Sequence, residues 1–116
     1  VGTAHGLYEG ETPKLDFERL AELRTVVPVP LVLHGGSSTG DNKLALAVKT
    51  GISKINLFSD LSSAGTNAVK SLLASGKTTP LGFLPLSMVY GAGVEAYKQM
   101  VMHYIEVFGS RGVLDA

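Results

Sequence analysis

The sequence predicts a parallel α/β fold. Three short apolar runs, at residues 1–4, 31–33 and 52–57, each lead into a loop, and each is followed by a segment with helical apolar spacing. The connections are short, as in βα units. A further helix closes the chain, and three strands are too few to close a barrel on their own.

Taken in order, Val1-Gly2-Thr3-Ala4 reads as the end of a strand that delivers His5-Gly6 to a loop. After the turn-prone Gly10-Glu11-Thr12-Pro13, Asp16 can cap a helix over 17–24, with Phe17, Leu20, Ala21 and Arg24 at helical spacing. Pro28 and Pro30 stop that helix and introduce the strand Leu31-Val32-Leu33, which breaks off at His34-Gly35-Gly36-Ser37-Ser38-Thr39-Gly40. A helix over 41–50 ends at Gly51, a left-handed cap, and residues 52–57 alternate as the third strand. The next helix starts near Asp60 and keeps Leu61, Ala64, Gly65, Ala68, Val69, Leu72 and Leu73 on one face up to Gly76. Residues 77–91, with Pro80, Pro85 and several glycines, read as a loop. The last helix, 92–108, carries Val94, Tyr97, Val101, Tyr104, Ile105 and Phe108 as a stripe and ends at Gly109. Both stripes read as ordinary core faces.

Composition narrows the function. The 116 residues make one domain, and ten basic residues balance ten acidic ones, so no surplus charge points to nucleic acid or an anionic membrane. Cysteine is absent, which leaves histidine and carboxylates as metal ligands. No apolar run reaches the ~18 residues of a membrane span, and VGTAHG is not a targeting segment. The expectation is a soluble, cytoplasmic chain. Charged residues are only 17% of the chain, against ~25% in ordinary globular proteins, which predicts that something else covers part of the surface.

The chemistry gathers at strand ends, where α/β enzymes place their catalytic groups. His5 and His34 both stand there, each followed by a glycine that lets the backbone turn and a ligand approach. Two imidazoles from neighbouring parallel strands can share a zinc ion if a third ligand comes from elsewhere; equally, they can be unconnected hydrogen-bonding side chains. The loop Gly35 to Gly40 and the segment Asn56-Leu57-Phe58-Ser59 each lead into a helix N-terminus, where N–H groups and the dipole favour an anion. Two such loops after consecutive strands suit a phosphate site at the mouth of a (β/α)8 barrel. Singly, each is compatible with a plain turn and a capped helix.

Three segments recur together: Val1-Gly2-Thr3-Ala4-His5-Gly6-Leu7-Tyr8, Pro30-Leu31-Val32-Leu33-His34-Gly35-Gly36-Ser37 and Lys54-Ile55-Asn56-Leu57-Phe58-Ser59-Asp60. In this order they resemble the C-terminal half of a class II, zinc-dependent ketose-bisphosphate aldolase, and Phe108-Gly109-Ser110 is similar to that family's end. The resemblance implies that residues 1–116 are the C-terminal portion of a single TIM-barrel domain: its last three βα units plus a C-terminal helix. It implies a lyase of carbohydrate metabolism, as in glycolysis, that cleaves a fructose or tagatose bisphosphate reversibly to dihydroxyacetone phosphate and an aldehyde phosphate. His5 and His34 would be two of three zinc ligands. Gly6, Gly35, Gly36 and Ser37, with Asn56, Leu57, Phe58 and Ser59, would hold the phosphate and the enediolate, Asn56 as the catalytic member. A monovalent cation near the phosphate loops, a homo-oligomer and an N-terminal half that supplies the remaining ligand and the proton-shuttling carboxylates are implied as well. By itself the chain would be inactive. The family usually has Gly at the position of Ser38, Thr at that of Ser59, and a small or polar residue at that of Phe58; the bulky Phe58 bears on substrate identity.

Other readings stand beside this one. Gly36-Ser37-Ser38-Thr39-Gly40 fits G-x-S-x-G between a strand and a helix, and Ser38, Asp60 and His103 follow in the order of a serine-hydrolase triad. Yet His103 lies off the apolar stripe, as a solvated histidine would, and Asp60 suits the first turn of its helix. Lys54, on the face of Asn56, could serve as a Schiff-base lysine. A non-catalytic phosphate-binding or subunit module is the third possibility.

Overall fold

In a computed structural model, residues 1–2 and 14–113 are described; the predicted positions of His5, Gly6 and the rest of the first strand fall outside them. The element order is α1 (Phe17–Val26), β1 (Leu31–Leu33), α2 (Asp41–Thr50), β2 (Ile52–Ile55), α3 (Ser59–Ala74) and α4 (Leu86–Val107). The chain divides into two compact units, one of Val1–Ser59 with Tyr104–Ala116, the other of Asp60–His103. None of the described helices is long and apolar enough to cross a membrane.

In the first unit β1 and β2 pair in parallel, Leu31 with Ile52, Val32 with Lys54 and Leu33 with Ile55. Between the first two pairs β2 takes two steps to the one of β1, so Ser53 is the extra residue of a bulge. Residues 1–2 lie on the other edge of β1: Gly2 forms a parallel bridge with His34, the His34 N–H donates to Val1 O (2.9 Å), and the Val1 nitrogen donates to Val32 O (3.0 Å). A Cβ on Gly2 would lie 3.1 Å from that of His34, so the absence of a side chain permits this close approach. The described sheet therefore has two strands and this single bridge.

Leu20 of α1, Leu31 and Leu33 of β1, Leu44 and Ala47 of α2 and Ile52 of β2 are buried and form the core of this unit, with Tyr104. Leu44 is fully buried, which stabilises the fold by roughly 1.5–3 kcal/mol. Asp16 caps α1 as expected, accepting the Arg19 N–H at 2.8 Å. That helix runs two residues beyond the predicted end, to Val26, because Pro28 and Pro30 come late enough for one more turn to close on Val27 N–H to Leu23 O.

Gly51 ends α2 with φ +122°, and a Cβ there would sit 2.7 Å from Cδ of Arg24, which packs across the turn. Gly51→Ala is expected to destabilise the fold by about 1 kcal/mol or more, from backbone strain that Gly alone escapes. A midpoint unchanged in urea would show that the backbone relaxes at no cost.

Two predicted boundaries and one predicted face need correction. Strand β2 stops at Ile55 and not at Leu57, because the ladder ends with Asn56 N–H donating to Leu33 O and the backbone then turns to serve the neighbouring loop. Helix α4 begins at Leu86, inside the stretch expected to be a loop over 77–91, and ends at Val107. Pro85 stands just before its first turn, where no N–H is needed, and its carbonyl accepts from Met88 and Val89. Gly91, placed in the expected loop, lies within the helix. At its C-terminus, Gly109 (φ +67°) completes a Schellman cap through Ser110 N–H to Ile105 O and Gly109 N–H to Glu106 O. Finally, the α4 stripe is not a core face: Val94, Tyr97, Val101 and Ile105 are exposed, and Tyr104 alone of the stripe is buried.

In the second unit α3 and α4 meet at two glycines: a Cβ on Gly65 would come 3.1 Å from the Gly93 carbonyl oxygen, and one on Gly93 would come 3.2 Å from Cγ2 of Val69. Gly65→Val is expected to cost ~1–3 kcal/mol by overpacking against backbone that cannot yield as a side chain can. Chemical denaturation checks this, and an unchanged midpoint would mean that the helices separate freely.

Candidate functional site

Residue alternation along β1 and β2 decides which side chains can meet. Leu33 and Ile55 are partners, and Leu33 faces α1 and α2, so the next residue on each strand, His34 and Asn56, points to the opposite face. There the Asn56 side-chain nitrogen Nδ2 lies 3.0 Å from Nδ1 of His34; an amide nitrogen only donates, so Nδ1 is the acceptor. His34 is exposed and Asn56 half-buried.

Past the strands, the two loops are tied to one another. Gly36 N–H donates to Asn56 O (3.1 Å), and Phe58 N–H donates to Oγ of Ser37 (3.2 Å). Gly36 is buried and has no room for a side chain: a Cβ would fall 2.6 Å from Cγ2 of Ile55 and 3.1 Å from Asn56 O. Ser37 is 6% exposed, so its hydroxyl sits inside the junction between the loops. Thr39, 1% exposed, pins the turn by donating from Oγ1 to Gly35 O (3.1 Å), while Thr39 N–H donates to Gly36 O. Gly35 (φ +70°), Ser38 (φ +61°) and Gly40 (φ +92°) make the left-handed turns that bring the chain from β1 into α2.

The structure thus brings together His34, Gly35, Gly36, Ser37, Asn56 and Phe58 at the C-terminal ends of two parallel strands. Leu57 is half-buried between them in sequence, Ser59 is the first residue of α3, and the Phe58 side chain is 73% exposed. Asp60 is a first-turn residue of α3, as expected, and His103 is exposed on α4. Sequence reasoning named His34 and Asn56 but not the bond between them, nor the roles of Thr39 and Gly2. A glycine inside a strand run was the available signal for Gly2, since it marks close backbone approach.

As a metal donor His34 fits in kind: it is an exposed imidazole at a strand end. Among the described residues no three His, Asp or Glu side chains gather, so any complete ligand set includes residues beyond them. An apolar cavity of about 310 Å³, lined by Leu20, Leu23, Leu33 and Ala47 among others, lies on the helix-covered side of β1.

The YdjI aldolase from Escherichia coli K12 superimposes with a TM-score of 0.74 at 34% sequence identity, over 86% of this chain and 36% of that one. The chain therefore spans about a third of the length of that structure. A family model described as fructose-bisphosphate aldolase class-II matches residues 1–113. Because that match takes in His34, the loop Gly35 to Gly40, the segment Asn56 to Ser59 and nearly the whole sequence, the chain belongs to the class II fructose-bisphosphate aldolase family.

Proposed function

We propose that residues 1–116 form the C-terminal portion of a single (β/α)8-barrel domain, and that the complete protein is a zinc-dependent aldolase. It cleaves a ketose bisphosphate reversibly to dihydroxyacetone phosphate and an aldehyde phosphate. The observation that carries this reading is the pairing of His34 with Asn56 between two interlocked loops at the ends of parallel strands, in a chain of this family.

His5 and His34 would hold the metal, the remaining ligand and the carboxylates that move protons coming from outside residues 1–116. When bound, zinc supplies a Lewis acid that polarises the substrate carbonyl and stabilises the enediolate. The chain's own residues bind and orient. Gly6, Gly35, Gly36, Ser37 and the segment Asn56 to Ser59 would surround the phosphate end, where the helix N-termini favour an anion. Asn56 carries a side-chain donor on the face of His34, where the oxygen-rich reacting part of the substrate would lie. The exposed Phe58 ring borders the same loop and bears on which ketose phosphate enters. A monovalent cation at the phosphate loops, a homo-oligomeric state and a cytoplasmic role in carbohydrate metabolism belong to the same proposal.

Cleavage of fructose or tagatose bisphosphate by the complete protein, followed through the released triose phosphate, should fall to background on chelation and return with zinc. Turnover that resists chelation would overturn the zinc assignment. No turnover with either substrate, despite bound zinc, would favour a phosphate-binding or subunit module.

A further inference from the structure

The bond between Asn56 and His34 has a direction, and that direction constrains the histidine. Nδ2 of Asn56 carries only hydrogens, so at 3.0 Å from Nδ1 it can be satisfied only if Nδ1 offers its lone pair. A neutral imidazole has one N–H, which then sits on Nε2. Both residues are set in place by backbone: Asn56 N–H donates to Leu33 O, Asn56 O accepts from Gly36, and His34 N–H donates to Val1 O. The two side chains therefore approach from fixed strand ends.

From this geometry we propose that Asn56 is a positioning residue for His34, which it holds as the Nε2–H tautomer by donating to Nδ1. A consequence follows for the zinc reading, on which this part rests. A ligating imidazole needs a lone pair on the nitrogen that meets the metal, and its other nitrogen is usually an N–H donor. In the Nε2–H tautomer the lone pair is on Nδ1 and already engaged by Asn56. Loading a metal on either nitrogen thus requires the carboxamide to turn: away from Nδ1 if the metal is to use it, or end for end, so that Oδ1 accepts from Nδ1–H, if the metal uses Nε2. Metal occupancy and the orientation of the Asn56 amide are coupled, and the amide is redirected on loading.

The test is long-range proton–nitrogen correlation NMR on the complete protein, stripped of metal by a chelator and held at a pH where the imidazole is neutral. The wild type should show His34 with its proton on Nε2. Asn56→Asp, close to isosteric, replaces the donor by an acceptor and should move the proton to Nδ1. Asn56→Leu should leave a mixture. If all three proteins show the same tautomer, the proposal is overturned; unchanged folding is checked from the backbone amide spectrum, and Asn56→Asp serves if Asn56→Leu does not fold. On titration with zinc, the Asn56 side-chain amide signals of the wild type should shift in step with those of His34. Movement of His34 signals alone would refute the coupling. Zinc that leaves His34 untouched, while the tautomer still follows residue 56, would refute the zinc-dependent reading and keep the positioning role.

Discussion

His34→Ala is expected to abolish aldol cleavage by the complete protein, while Ser38→Ala retains most of it. His34 is the described imidazole at the strand-end site, and in the proposed zinc reading it is a metal donor. Loss of a mere outer-shell partner costs ~10–100-fold in metal affinity or activity, so loss of a ligand should exceed that range. Zinc content per protomer should fall along with turnover. Ser38 is held at φ +61° in the turn between β1 and α2 and has no part in this chemistry, although it would be the nucleophile of a hydrolase. Alanine there carries the same backbone strain as serine, so stability should barely change, and Ser38→Gly, which relieves the strain, controls for what remains. Cleavage that survives His34→Ala would remove this histidine from the mechanism. Ester hydrolysis that disappears with Ser38→Ala would move the assignment to the hydrolase.

Where local chemistry decides, residues could be read directly from the chain. Asp16 as a cap, Gly51 as a helix end and Gly109 as another are set by φ or by one side-chain oxygen, and each stands where its neighbours predict. The start of α4 was hidden by local breaker residues. Pro85 and Gly91 look like breakers locally, yet the helix starts directly after Pro85, where no N–H is needed, and runs through Gly91. The stripe from Val94 to Ile105 shows another limit, since periodicity reveals that one face is apolar and not what, if anything, covers it. At the site, the strand-end position of His34 and the glycines after it were visible, as was Asn56 on its own strand. Their mutual hydrogen bond was not. It depends on the register, and the register includes an extra residue at Ser53 that no local pattern announces. Had the strands paired without that bulge, the alternation would have set Asn56 against a different neighbour.

The same junction underlies the second large effect: Gly36→Ala should impair both stability and substrate binding. The position does not need glycine for its backbone angle, because Gly36 is absent from the left-handed set that includes Gly35 and Gly40. It needs glycine for space. The added methyl would meet Cγ2 of Ile55 at 2.6 Å and, at 3.1 Å, both Asn56 O and Cδ2 of Leu57. The Ile55 contact can be eased by a rotamer change, but the Asn56 carbonyl is backbone and is the acceptor of Gly36's own N–H. Relief therefore separates the loops, at a cost of ~1–3 kcal/mol for overpacking. It lengthens the Gly36 to Asn56 bond, loosens Phe58 N–H from Ser37, and shifts Asn56 relative to His34. A misplacement of ~1 Å at a reacting centre can cost ~100-fold, so kcat/KM should drop by about that factor. Because the phosphate end of the proposed site is built from these loops, a raised KM should accompany the fall in kcat. The control is Gly40→Ala, where a Cβ meets nothing within 4 Å: it strains the backbone at φ +92° but leaves the loop junction alone. If Gly40→Ala and Gly36→Ala reduce kcat/KM equally at matched stability, strain in the turn and not contact between the loops is what the site depends on.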